Sequence, residues 1–98
     1  MYARVTPVEG SPEKIDDGIK AFKEKVVPAV QDVSGYKGAL LMVDRSSGKG
    51  IGMSLWESEE ARRAGGEAVA KARESTIQTM GGTVPPVQEY EVVVSDLK

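Results

Sequence analysis

One tryptophan, three tyrosines and a strand arginine are the side chains of this 98-residue sequence best suited to handling an organic ligand. An indole such as Trp56 offers a flat apolar face, a phenol such as Tyr36, Tyr90 or Tyr2 can donate a proton to a substrate oxygen, and the guanidinium of Arg4 can hold a carboxylate or phenolate in two-point fashion. Around Trp56 the residues are small: Gly50, Gly52 and Ser54 alternate with apolar positions in "GIGMSLW". That pattern fits the wall of a cavity, and it fits equally a core tryptophan beside closely approaching backbone. The pocket candidates are therefore Trp56, Ser54, Gly52, Tyr36 and Arg4.

Other chemistry is excluded by composition. The sequence has no Cys and no His. Disulfides, thiolate nucleophiles, Ser-His-Asp triads and the usual zinc, haem and non-haem iron ligand sets are all ruled out. A metal would have to be held by carboxylates, and no Asp/Glu run has calcium-loop spacing. No metal and no cofactor is expected. "SSGKG" lacks the spacing of a phosphate loop and precedes a strand instead of a helix. The net charge of -2 gives no basic surface for nucleic acid, and no apolar run is long enough to span a bilayer. The N-terminal "MYARVTPVEG" reads as a strand and not as a signal peptide, so a cytoplasmic protein is expected. Length, 40% apolar and 29% charged residues fit one domain over 1–98.

The elements that must position these residues follow from pattern. Tyr2 to Val8 is strand-like, with Pro7 suggesting an edge or an end. Ser11 suits a helix N-cap and Pro12 the first helical position. Ile15, Ile19, Phe22, Val26, Val30 and Val33 form one apolar stripe, which Pro28 should kink. Gly35 is a natural stop. "YKGALLMVDRSSGKGIGMSLWE" is a hairpin around a type I turn closed by a left-handed glycine. Asp44 then faces Lys49 as a cross-strand ion pair, Met42 pairs with Ile51, Leu40 with Met53 and Gly38 with Leu55. The opposite face carries Ala39, Leu41, Val43, Gly50, Gly52, Ser54 and Trp56. A second helix starts at Ser58 and ends at Gly81-Gly82. Ala61, Ala64, Ala68 and Ala72 lie on its small side, Arg62 and Arg63 on a solvated face, and Gly65-Gly66 is where it should bend or break. Val87 to Val94 is the last strand.

The order β-α-β-β-α-β is the ferredoxin-like arrangement, an α+β fold with a four-stranded antiparallel sheet and two helices on one face. Both faces of the hairpin are apolar. One set would lie in water in a monomer, so a homodimer through the open sheet face is expected.

This element order, "SLWESEEA" leading into a helix and the final "YEV" strand resemble the antibiotic-biosynthesis-monooxygenase-like proteins of the dimeric α/β-barrel superfamily. "FKEKVVPAV" followed by "GYKGALLMVDRSSGKG" also looks like small bacterial proteins of that group. The resemblance implies a dimer with a pocket in each subunit between helices and sheet. It implies a hydrophobic small-molecule ligand, with two outcomes open. One is oxidation of an aromatic, polyketide-like substrate by oxygen without metal or flavin. The other is ligand binding, or a structural dimer, without catalysis. Many catalytic members carry a His in the helix after "WES". Here that stretch reads "ARRAGGEAVAK", which disfavours haem degradation by a His-ligated route.

Overall fold

The computed structural model describes the backbone of residues 1–80 and 87–96 and the side chains of residues 1–70 and 87–96. Strands β1 (Tyr2–Glu9), β2 (Tyr36–Asp44), β3 (Lys49–Trp56) and β4 (Gln88–Glu91) form one antiparallel sheet in the order β2-β3-β1-β4. The helical layer is α1 (Ile15–Ala21), α2 (Val27–Gln31) and α3 (Glu59–Met80). This is the expected α+β, ferredoxin-like arrangement, with the helices on one face of the sheet.

The hairpin has the expected register, Met42 opposite Ile51, Leu40 opposite Met53, Gly38 opposite Leu55 and Asp44 opposite Lys49. Turn chemistry sets it. Gly48 takes φ +82° and donates its N–H to Asp44 O at 2.9 Å. The ion pair expected between Asp44 and Lys49 gives way to hydrogen bonds within the turn. The Asp44 carboxylate accepts from Ser46 Oγ (2.7 Å) and Ser46 N (3.0 Å). Led by the Ser46 hydroxyl, these bonds hold the Asp44 carboxyl below the usual aspartate range. A depressed carboxylate stabilises the fold above its unfolded-state pKa, and that contribution is lost as pH falls through the lowered value. In a side-chain NMR titration, Asp44 should therefore have a midpoint below that of an ordinary aspartate. Ser46→Ala should move it upward, and an unmoved midpoint would refute the assignment.

Pro7 sits in an interior strand and not at a sheet edge. It is tolerated because β4 pairs only with Tyr2 to Val5, so Pro7 lies past the last rung on that side. The last strand is likewise shorter than the sequence suggests. It stops at Glu91, after which Val93 and Val94 project into solvent.

Ser11 stands at the N-cap in extended conformation, its carbonyl accepting from Lys14 N (3.0 Å), and a 3-10 turn, Pro12–Lys14, precedes α1. The kink expected at Pro28 is spread over a preceding wide turn, Phe22–Val26, with i→i+5 bonding in which Val27 N–H reaches Phe22 O. A proline at 28 cannot donate to Glu24 and its ring would crowd that carbonyl; opening the turn upstream removes both conflicts. Ser58 Oγ caps α3 by accepting from Ala61 N (3.1 Å). The proposed end of α3 at Gly81-Gly82 lies outside the described residues.

The core lies between α2, α3 and the sheet. Val30, Trp56, Ala61 and Val69 are buried together, with Val26, Ala29, Val33 and Tyr36 packed around them. The opposite face of the sheet is open. Leu40, Met42 and Ile51 are 41%, 48% and 39% exposed on it.

Candidate functional site

The five pocket candidates all lie on the helix-covered side of the sheet. Tyr36 and Tyr2 flank Trp56 in register, and Arg4 and Ala39 flank Ser54. Each is held there by strand alternation, since β3 places Gly52, Ser54 and Trp56 on one face.

Trp56 is fully buried. Its indole Nε1–H donates to Ser54 Oγ at 2.7 Å, two residues back on the same strand face. Tyr36 meets it edge-on, with ring centroids 5.6 Å apart at 66°. On the helix side the ring lies against Gly65. A Cβ there would collide with Trp56 Cζ2 and Cη2 and stand 2.8 Å from Cε2. The indole therefore has no face left for a ligand; it backs the seam from within.

Gly65 and Gly66 do not break α3, which runs through them from Glu59 to Met80. They make seats. Gly65 receives Trp56 and Gly66 receives Arg4, whose Cζ, Nε and Nη1 would stand 3.0–3.1 Å from a Cβ at that position. The inward side of α3 is accordingly Ala61, Gly65 and Val69, spaced by four. Of the alanines on the small side of the helix, Ala61 is buried, Ala64 and Ala68 are exposed, and the Ala72 side chain lies outside the described ones. The small side and the inward side differ because a helix rich in alanine and glycine has little apolar contrast of its own. The shape of Trp56 decides which side turns in.

Gly52 is buried beneath Phe22, whose Cε2 would lie 3.4 Å from an added Cβ. The space left by that glycine is thus occupied by the phenyl ring at the start of the wide turn. Arg4, half-buried, remains the charged candidate at the seam, between Ser54 on β3 and Glu89 on β4 in register.

Sequence reasoning missed Arg62. Expected in solvent, its side chain is only 15% exposed. Its guanidinium lies 5.3 Å from the Tyr2 ring centroid, Nε is 2.8 Å from Glu89 Oε2 and Nη1 donates to Tyr90 O at 3.3 Å. It fastens α3 to β1 and β4. Its place one turn after Ser58, on the side of α3 next to Ala61, was the available signal. Tyr90 itself is 52% exposed, with its hydroxyl donating to Gln88 Oε1 at 3.2 Å. Among the described residues, no three His, Cys, Asp or Glu side chains gather as a metal site, and no helix is long and apolar enough to cross a membrane.

No family model matches the sequence. Two curated relatives from Mycobacterium tuberculosis, the uncharacterised proteins Rv2557 and Rv2558, are 41% and 38% identical to it over 92 and 94 residues. Those alignments cover 94% and 96% of this chain but only 41% and 39% of the relatives, so the chain spans about two fifths of their length. Solved structures agree on the fold. The haem-degrader MhuD of M. tuberculosis, with two haems bound in its active site, superimposes at a TM-score of 0.72 and 20% identity, covering 98% of this chain and 99% of its own. An antibiotic biosynthesis monooxygenase superimposes at 0.71 and 17%, covering 96% and 100%. A protein of unknown function from Nitrosomonas europaea does so at 0.73 and 17%, covering 99% and 93%.

Proposed function

Proceeding from a chain that has the fold of the antibiotic-biosynthesis-monooxygenase-like proteins, we propose that it is a homodimer binding a hydrophobic, aromatic small molecule at the seam between α3 and the sheet in each subunit. The observation that carries this reading is the seat at Gly66. A helix position without a side chain lets the Arg4 guanidinium lie half-buried against α3, next to Ser54 in register and behind the Trp56 core. The Arg4 guanidinium already takes part in an interaction within the chain, and a ligand that carries a carboxylate or phenolate on a flat apolar body would take its place there by exchange. The protein would be one domain over 1–98, located in the cytoplasm.

The dimer is supported by the open sheet face. Each of Leu40, Met42 and Ile51 would contribute about 1.5–3 kcal/mol if fully buried, before association costs. A twofold partner presenting the same face covers all of them at once. Met42→Lys with Ile51→Lys should give a folded monomer by light scattering where the parent gives a dimer. A monomeric parent at micromolar concentration would overturn this part.

Oxidation by oxygen is the second reading, favoured by the monooxygenase among the structural neighbours. In this chain the electron would have to come from the substrate's own enolate or phenolate. Arg4 would hold that anion, with Tyr36 as a phenol nearby. An iron porphyrin would find neither His nor Cys for axial ligation, because the sequence has none.

The test is a titration of polycyclic phenols and quinols followed by Trp56 fluorescence, with oxygen uptake measured in parallel. Saturable quenching that weakens about tenfold or more in Arg4→Ala supports the binding site, a loss on the scale of one charge-assisted hydrogen bond. Oxygen uptake above a protein-free control supports the second reading. A folded protein that responds to none of them overturns both for this ligand class.

A further inference from the structure

Two arginines and one carboxylate meet where α3 lies over β1 and β4. Tyr2 and Arg4 are two residues apart on β1, and Arg62 and Gly66 are four apart on α3. The Arg62 guanidinium stands over the Tyr2 ring at 5.3 Å, and that of Arg4 fills the seat at Gly66. Two residues of strand rise about 6.7 Å and four of helix about 6 Å, so the two contacts stack in step and both guanidinium groups lie in one seam. Glu89 is opposite Arg4 in register, hence on the same face, and its Oε2 is 2.8 Å from Arg62 Nε. One carboxylate is thus within reach of two cations.

The contact between Arg62 and Glu89 is close but poorly aligned. Arg62 Nε is buried, and among the described residues its N–H finds no aligned hydrogen-bond acceptor, Glu89 Oε2 included. The partners are also held unequally. The Arg62 side chain is 15% exposed and is fixed by the Tyr2 ring and by the bond from Nη1 to Tyr90 O, whereas that of Glu89 is 51% exposed. A buried guanidinium needs an anion beside it, and its fork bonds most strongly to a carboxylate that presents both oxygens. Glu89 supplies the charge without that geometry. Glu91, the other carboxylate on this face of β4, is exposed and lies opposite Tyr2.

We propose that Glu89 holds the place of a ligand's carboxylate. On binding, the ligand's carboxylate takes up the Arg62 fork beside Arg4, and Glu89 turns out to solvent. This rests on the seam ligand proposed above and gives its anionic end a position, a second arginine and an internal competitor. It also narrows the ligand class to aromatic carboxylates, because a carboxylate presents two oxygens to a guanidinium where a phenolate presents one.

The test compares naphthoate with its uncharged methyl ester by titration calorimetry. Glu89→Gln removes the competitor's charge and should tighten naphthoate about tenfold, with the ester unchanged. Glu91→Gln makes the same charge change two residues away and should tighten it less than about threefold. Arg62→Lys keeps the cation without the fork and should weaken naphthoate about tenfold in a protein shown to be folded by circular dichroism. Equal naphthoate affinity in the parent and Glu89→Gln, or equal tightening by both glutamate variants, overturns the exchange. In that event polycyclic phenols that bind in an Arg4-dependent way leave the seam ligand standing. No response to phenols or to naphthoate overturns the two together.

Discussion

Gly65→Ala is expected to destabilise the protein by about 2 kcal/mol or more, although in a solvent-exposed helix the same change would stabilise by about 1 kcal/mol. The added Cβ would fall on the indole of Trp56, which is fully buried and held by Ser54 and Tyr36. Either the ring leaves its rotamer or α3 lifts from the sheet, and overpacking of a tight core costs about 1–3 kcal/mol and sometimes more. The packing term therefore outweighs the propensity gain. Gly66→Ala gives the contrast. Its new methyl meets the far end of the flexible Arg4 side chain, so stability should change little while Arg4 is displaced from the seam. Urea unfolding of both variants checks this. A Gly65→Ala protein more stable than its parent would mean that Trp56 and α3 are not packed as described.

Trp56→Ala is expected to cost about 3–5 kcal/mol, as for large aromatic residues removed from cores. In a domain whose whole stability is about 5–15 kcal/mol, that change brings the fold close to unfolding at room temperature. The pair is also coupled. Once the indole is gone, the clash at position 65 is gone, so Gly65→Ala in the Trp56→Ala background should turn from destabilising to mildly stabilising. A double-mutant cycle by urea unfolding measures that reversal. Additive effects would show that the two residues do not share one space.

What could be read from the sequence and what could not divides along a physical line. The hairpin register was legible because two local codes agree: period-two apolar alternation on both strands and a turn that needs a left-handed glycine at Gly48. The β-α-β-β-α-β order followed from the same local signals, and the order of strands in the sheet follows from that fold. The facing of α3 was not legible. Alanines at 61, 64, 68 and 72 form a regular stripe, but Gly65 is drawn inward by an indole from another element. The wide turn at Phe22–Val26 was read only as a kink, since a proline signals a conflict without saying where the chain resolves it. The candidate residues were placed on the right side of the sheet by alternation. That Trp56 would be sealed, Gly52 roofed by Phe22 and Arg62 drawn over Tyr2 depended on helix docking, which no short-range pattern encodes.

The pairing of β1 with both β3 and β4 has a consequence for synthesis on the ribosome. β1 emerges first, yet neither of its neighbours is local. The chain from Glu9 to Lys49 must be made before one edge closes, and the chain to Gln88 before the other does. At about 5–20 residues per second, the interval is on the order of seconds, long compared with hairpin formation in microseconds. During that time β2 and β3 can close on each other, but β1 has an unpaired flank of backbone donors and acceptors. The nascent protein is thus most open to wrong strand pairing before its last strand appears, and a chaperone acting on it would find its substrate there.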